Sequence, residues 1–436
     1  MSTDPAQLDR DHLWHPFTQQ RGWVEEEPLI IERAEGAQLI DSAGNRYIDG
    51  VSSLWCNVHG HRHAGIDAAL REQLEKVAHS TMLGLSHPGA AELAAKLVGL
   101  APPGLSRVFY SESGSTAVEI ALKMAFQFQQ QRGGQHRRRT SFVHLRDAYH
   151  GDTIGSVAVG GIDLFHSTYR PLLFATHAAE PGDAADLERV LCCHEEEVAA
   201  LIVEPLVQGA AGMLVHPPGY LREARELCNR FGVLLICDEV ATGFGRTGTM
   251  FACEQEGVAP DLLCLAKGLT GGYLPLAATL ATERIYDGFL GAPEERRTFF
   301  HGHTYTGNPL ACAAALASLE AFERERTLER LGAKVELLGE LLEDVAAMPA
   351  VTEVRRRGTM TGIDLGEHDP ALRLGHRVAL EARRRGAIVR PLGDVVVLMP
   401  PLSISAEELR RLVGITAESI AAACRGAYPA PIAQAA

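Results

Sequence analysis

Val233-Leu234-Leu235-Ile236-Cys237-Asp238-Glu239 is an apolar run that stops on two carboxylates. An apolar stretch with no polar alternation reads as a strand buried on both faces, the pattern of a parallel sheet covered by helices. Two other stretches repeat it: Leu201-Ile202-Val203 runs into Glu204, and Leu262-Leu263-Cys264-Leu265-Ala266 runs into Lys267. A further strand is expected over residues 107–110. Amphipathic patterns at 115–130 and 219–231, and a long charged one at 309–347, read as helices. The alternation predicts an α/β fold whose large domain is built on a mostly parallel, doubly wound mixed sheet. In open sheets of this kind ligands bind beyond the carboxyl ends of the strands, so Glu204, Asp238 and Lys267 are expected on one crevice.

Working outward, the texture changes near residue 345. Short strands at 351–354, 361–365, 387–390 and 395–398, covered by helices at 372–385 and 406–424, read as a small α+β domain. The N-terminal alternation at 29–33, 37–41 and 46–49 is assigned to the same unit, so the small domain is built from both termini. The expected boundaries are residues 1–60 and 336–436 for the small domain and 61–335 for the large one, with the active site between them.

A chain of 436 residues has room for two or three domains at roughly 150 residues each. Its 46% hydrophobic and 22% charged residues exclude a mainly disordered, collagen-like or disulfide-scaffold protein. The net charge of −14 argues against a nucleic-acid surface. The arginine triplets at 137–139, 355–357 and 383–385 therefore read as solvated or interfacial charge. No apolar run is long enough for a membrane span. The N-terminus, with Glu25-Glu26-Glu27, matches neither a signal sequence nor a transit peptide, so a cytoplasmic location is expected. Nine cysteines without C-x-x-C spacing read as reduced thiols, including the adjacent Cys192 and Cys193. The polar stretch at 127–139 and the Ala/Pro tail at 427–436 read as solvated surface.

Lys267 follows a buried strand and precedes the turn-rich Gly268-Leu269-Thr270-Gly271-Gly272. Burial lowers an amine's pKa, which makes it a candidate Schiff-base nucleophile, although the segment taken alone reads rather as an exposed strand-end lysine. Asp238 alone could cap a turn, but beside such a lysine it can hold the pyridine nitrogen of pyridoxal phosphate protonated. Ser113-Gly114-Ser115-Thr116 precedes a helical pattern and offers either an ordinary N-cap or an anion cradle. Walker P-loop spacing is absent, and Gly243, Gly245 and Gly248 depart from a dinucleotide loop. His59, His61 and His63 alternate, as do His301 and His303, but neither set has the spacing of a zinc site, and no metal is expected.

Asp238-Glu239-Val240-Ala241-Thr242-Gly243-Phe244-Gly245-Arg246-Thr247-Gly248, followed by Lys267-Gly268-Leu269-Thr270-Gly271-Gly272, resembles the signature of the class III pyridoxal-phosphate aminotransferases. That resemblance implies a fold-type I transferase and pyridoxal 5'-phosphate as cofactor. Within the class the chain is similar to the branch that makes 7,8-diaminopelargonate in biotin biosynthesis. The likeness is carried by His15-Pro16-Phe17-Thr18, Ser52-Ser53-Leu54-Trp55, Val58-His59-Gly60-His61, Tyr149-His150-Gly151-Asp152, His301-Gly302-His303-Thr304 and Arg390-Pro391-Leu392-Gly393. It implies that Lys267 is catalytic and carries the cofactor. Asp238 pairs with the pyridine nitrogen, Gly114 and Ser115 hold the phosphate, and Tyr149 stacks on the ring. Glu204 and Gln208 stand beside the cofactor, and Arg246 helps shape the site. Thr304 reaches the phosphate in a neighbouring subunit, which makes the expected assembly a homodimer with shared active sites. Phe17, Leu54, Trp55, Tyr149, Lys267, Gly302 and Arg390 are implied to contact the small-molecule substrates, Arg390 through their carboxylate.

The better-known members of the branch have Tyr at the position of Phe17, a second Trp at that of Leu54 and Phe at that of Leu392. Loss of aromatic wall weakens stacking and cation–π contacts with a large sulfonium donor. S-adenosyl-L-methionine is the donor that the branch implies, with L-lysine close behind, and 7-keto-8-aminopelargonate is the acceptor. Two alternatives stay open: another class III ω-aminotransferase acting on ornithine, 4-aminobutyrate or a diamine, and a non-catalytic cofactor-binding protein.

Overall fold

The computed structural model describes residues 4–425. The tail at 427–436 lies outside them. Seven strands form the central sheet: β1 (Leu105–Ser111), β2 (Ser141–Leu145), β3 (Thr176–Ala179), β4 (Val198–Val203), β5 (Leu234–Asp238), β6 (Leu262–Leu265) and β7 (Ala277–Thr282). Their order across the sheet is β3-β2-β4-β5-β6-β7-β1. From β3 to β6 all neighbours are parallel, and β7 runs antiparallel to both β6 and β1. The connection from Leu265 to Ala277 holds a 3-10 turn at Lys267–Thr270 and no crossover helix, so β7 returns antiparallel.

Every residue of β4, β5 and β6 is buried, because helices cover both faces. Helix α1 (Gly114–Arg132) packs Ala117, Ala121 and Ala125 on the face that carries Ile202 and Ile236. Helix α2 (Tyr220–Phe231) packs Leu221 and Ala224 on the opposite face, with Leu235 and Cys237. The period of two along β5 thus serves two separate cores.

The smaller sheets draw on both ends of the chain. Ile31–Glu35, Gln38–Asp41 and Arg46–Asp49 form an antiparallel meander to which Ala387–Ile388 adds a parallel strand. Glu353–Arg357, Met360–Asp364, Val395–Leu398 and Arg390–Leu392 form a second, antiparallel sheet. The single strand expected at 387–390 is therefore split between two sheets, with Arg390 at the crossing. The helix expected over 309–347 is also two, Pro309–Arg324 and Thr327–Ala346. No Pro or Gly marks the break. Arg326 adopts a left-handed φ of +52°, while the carboxylate of Glu325 accepts a 2.7 Å hydrogen bond from His63 Nε2, a contact far away in sequence.

Leu235 is fully buried in the middle of β5. Leu235→Ala is expected to destabilise the chain by about 2–5 kcal/mol through lost burial and a residual cavity, read as a lower denaturation midpoint.

Candidate active site

The register of the central strands sets Val203 beside Cys237, and Asp238 beside Cys264. The residues that follow these strands therefore open together, and Glu204, Asp238 and Lys267 line one cavity of about 570 Å³. All three crevice residues expected from the sequence are brought together.

Asp238 is buried and its two oxygens are separately engaged. Oδ2 accepts from His150 Nδ1 at 2.7 Å and Oδ1 from the Val240 amide at 3.0 Å. Glu204 accepts from the amides of Tyr149 (3.1 Å) and Gly209 (2.9 Å). Burial nevertheless pushes its carboxyl up to about 7, with the neighbouring His150 lowering it and Asp238 raising it. Lys267 has a left-handed φ of +44°, which an ordinary side chain rarely adopts, and its Nζ lies 4.9 Å from the centre of the Trp55 ring. Burial lowers its ammonium, opposed by Asp238 and Glu204. A lysine held in this way has its amine biased toward the neutral, nucleophilic form.

The start of α1 forms the wall of the cavity next to these groups. Ser113 is the N-cap, in a reciprocal capping box with Thr116, and the amides of Gly114 and Ser115 belong to the helix's unpaired first turn. The Ser115 hydroxyl is shared with Thr153 (2.8 Å) and Ser156 (3.1 Å), so the anion-binding offer comes from the helix amides and dipole. Glycine is required at two points of this wall. A Cβ on Gly114 would lie 2.5 Å from Val240 Cγ1, and one on Gly151, whose φ is +117°, would lie 2.3 Å from Ser115 Oγ. Two lining residues also carry buried nitrogens without a partner, Trp55 Nε1 and His150 Nε2.

These features suit a phosphorylated aldehyde with a basic ring nitrogen. The cavity supplies an amine, a buried carboxylate and a helix N-terminus, and its volume is that of a small-molecule site. Pyridoxal phosphate fits the residues present.

Of the other residues marked from the sequence, Tyr149 and Trp55 line the cavity. The Tyr149 hydroxyl donates to Asp152 Oδ2 at 2.6 Å. Phe17 packs edge-on against Phe165 (5.3 Å) and Tyr149 (6.4 Å) and lines an adjoining space of about 510 Å³ that shares Asp152. Leu54 is exposed beside Trp55. Arg390 is partly buried, and burial lowers its guanidinium, opposed by the nearby Tyr149. Gly302 and Thr304 are exposed and stand outside the cavity lining; the Thr304 carbonyl accepts from His79 Nε2 at 2.8 Å. Gln208 stands behind the lining, its amide nitrogen donating to the Arg146 carbonyl (2.8 Å) and its amide oxygen paired with His216 Nε2 (3.1 Å).

The first histidine set disperses, whereas His301 and His303 stay together with their Nε2 atoms 3.0 Å apart. His59 pairs with Ser318, His61 with Asp49 and His63 with Glu325. Among the described residues His177, His194 and Glu197 lie close together, but the two rings stack at 3.6 Å and 17°, which keeps their in-plane lone pairs in separate, nearly parallel planes. Sequence reasoning passed over His150 and Val240. His150 adjoins Tyr149 in a quoted motif, yet its partner Asp238 is 88 residues away, and no local period points to it.

The family description "Aminotransferase class-III" matches residues 20–420. The chain belongs to the class III aminotransferases. It is thus a pyridoxal-phosphate-dependent enzyme of fold-type I. Among its relatives are the adenosylmethionine-8-amino-7-oxononanoate aminotransferases of Nitratidesulfovibrio vulgaris (60% identical, covering 93% of this chain and 79% of that protein) and Geobacter sulfurreducens (50%, covering 94% and 96%). The crystal structure of the Methanocaldococcus jannaschii protein of that name superposes with a TM-score of 0.94 at 44% identity, covering 96% of this chain and 98% of that one. A pyridoxal-phosphate-bound amine transaminase from an uncultivated Pseudomonas species gives 0.88 at 38%, covering 96% and 99%.

Glu204 supplies a pH test for this aminotransferase. Its carboxyl is raised in the folded chain, so between about 4.5 and about 7 the folded state holds a proton that the unfolded state has released. Its contribution to stability therefore falls as pH rises through that window. In the cofactor-free protein, Glu204→Gln is expected to flatten this part of the melting-temperature profile; an unchanged slope would refute the assignment.

Proposed function

We propose that this aminotransferase aminates 8-amino-7-oxononanoate (7-keto-8-aminopelargonate) to 7,8-diaminononanoate (7,8-diaminopelargonate) in biotin biosynthesis. The observation that carries the reading is that Lys267, partly buried, and Asp238, buried, line one cavity, in a chain whose curated relatives bear that name over nearly its full length. We place the reaction in the cytoplasm. Residues 1–60 with 336–436, and residues 61–335, are proposed as its two domains.

Bound pyridoxal phosphate supplies an electron sink through which an amino group is taken from a donor and given to a ketone. Lys267 holds the cofactor through its amine and serves as the proton carrier at Nζ, a role suited to an amine whose pKa burial has lowered. Asp238, fixed by His150 and the Val240 amide, supplies the carboxylate that keeps a ring nitrogen protonated. The amides of Gly114 and Ser115 bind phosphate at the positive end of α1. Tyr149 offers its ring face, and Trp55 shields Nζ from water.

Arg390 is assigned to the acceptor's carboxylate, which its planar fork matches. Phe17, Leu54 and Trp55 are assigned to the walls of the substrate pocket. S-adenosyl-L-methionine is proposed as the donor, with L-lysine the alternative that the reduced aromatic wall at Leu54 and Leu392 favours. Gly302 and Thr304, absent from the lining of their own chain's cavity, are assigned to the site of a neighbouring subunit in a homodimer.

Purified enzyme given the keto acid with each donor in turn should form diaminononanoate with at least one of them. Lys267→Ala should abolish the borohydride-reducible cofactor band and lower turnover by on the order of 10⁴-fold or more. The likeness to an amine transaminase structure favours a second reading, an ω-aminotransferase of simple amines. Turnover of ornithine, 4-aminobutyrate or a diamine with none of the keto acid would establish it instead.

A further inference from the structure

His301 and His303 flank Gly302, and their rings are joined to one another and to groups on α1 and just before it. Lys123 Nζ lies 2.9 Å from His301 Nδ1, His301 Nε2 lies 3.0 Å from His303 Nε2, and His303 Nδ1 is hydrogen-bonded to Glu112. The donors can be assigned along the whole chain. An ammonium only donates, so His301 Nδ1 accepts and its proton sits on Nε2. That proton is donated to His303 Nε2, which leaves the His303 proton on Nδ1, facing the Glu112 carboxylate. Both imidazoles are neutral in this arrangement. Burial, and then the charge of Lys123, lowers the His301 imidazole and agrees with it. The rings are held in place by Phe299, which stacks on His301 at 5.6 Å and 19°, and by the Thr306 hydroxyl, which accepts from the His303 amide at 3.0 Å.

Glu112 is the end of this chain that matters chemically. It lines the cavity immediately before Ser113-Gly114-Ser115, where the helix amides offer an anion site. A free carboxylate there would repel a bound phosphate dianion. We propose that Lys123, His301 and His303 act as a hydrogen-bond relay that orients Glu112 and draws its negative charge toward His303 and away from the anion site, so that His303 is a positioning residue for the cofactor's phosphate. Lys123 polarises His301, His301 polarises His303, and His303 holds the carboxylate's negative charge on its own Nδ1–H. The inference rests on reading this cavity as the pyridoxal-phosphate site.

The test separates the charge at Glu112 from the packing of the segment. Full-length wild type, His303→Asn, Glu112→Gln and the double variant are stripped of cofactor and titrated with pyridoxal phosphate and, separately, with pyridoxal, which lacks the phosphate. His303→Asn should weaken pyridoxal phosphate about fivefold, the scale of one partly exposed charge interaction, and leave pyridoxal unaffected. Glu112→Gln alone should bind pyridoxal phosphate no more weakly than wild type, and the double variant should recover the affinity lost in His303→Asn. The proposal fails if His303→Asn weakens both ligands equally, or if the double variant stays as weak as the single one. If wild type takes up neither ligand, the reading of the cavity fails, and the relay with it.

Discussion

Three ionisable side chains, the buried Glu204 and Asp238 and the partly buried Lys267, line one cavity at the ends of β4, β5 and β6. Removing charge from water is costly unless it is paired or hydrogen-bonded, so the surroundings are organised to meet that cost. The Val240 amide and His150 satisfy Asp238, and two backbone amides satisfy Glu204. Glu204 is still pushed up to about 7, and the Lys267 ammonium is lowered. Two adjacent groups are thus displaced in the direction that favours proton exchange near neutrality, and the cause is burial in both cases.

A second constraint places Trp55 over Lys267. Ser52, Ser53 and Trp55 all have left-handed φ values, a concentration of strain that persists only if other contacts over-determine the turn. Asp49 accepts from the Ser53 amide at 2.8 Å and from His61 Nε2 at 2.9 Å. Arg246 is fully buried and donates to the carbonyls of Asn57 (2.9 Å) and Pro400 (2.7 Å). One arginine from the signature turn therefore ties the Trp55 segment to the C-terminal part of the chain. Arg246 shapes the cavity without lining it.

Four of the seven strands of the central sheet, β1, β4, β5 and β6, were legible, the last three because they are buried on both faces and read as unbroken apolar runs, whereas β2, β3 and β7 were not read. Helices α1 and α2 were equally clear, since each has an amphipathic pattern bounded by a cap, Ser113 at the start of one and Gly232 at the end of the other. The break at Arg326 and the split of 387–390 were not legible. Each is imposed by a partner distant in sequence: His63 on Glu325, and the Arg46–Asp49 strand pairing with Ala387–Ile388.

The sequence by itself determined the types of group available at the strand ends, an acid, an acid and an amine, because a buried strand must stop where polarity begins. Its signature turn also determined the family. Tertiary structure alone decided that His150 would hold Asp238, that the Ser115 hydroxyl would turn to Thr153, and that Gly302 and Thr304 would stand away from their own cavity. Hydrogen bonds and desolvation act between atoms a few ångströms apart in space, and the sequence does not encode those separations locally.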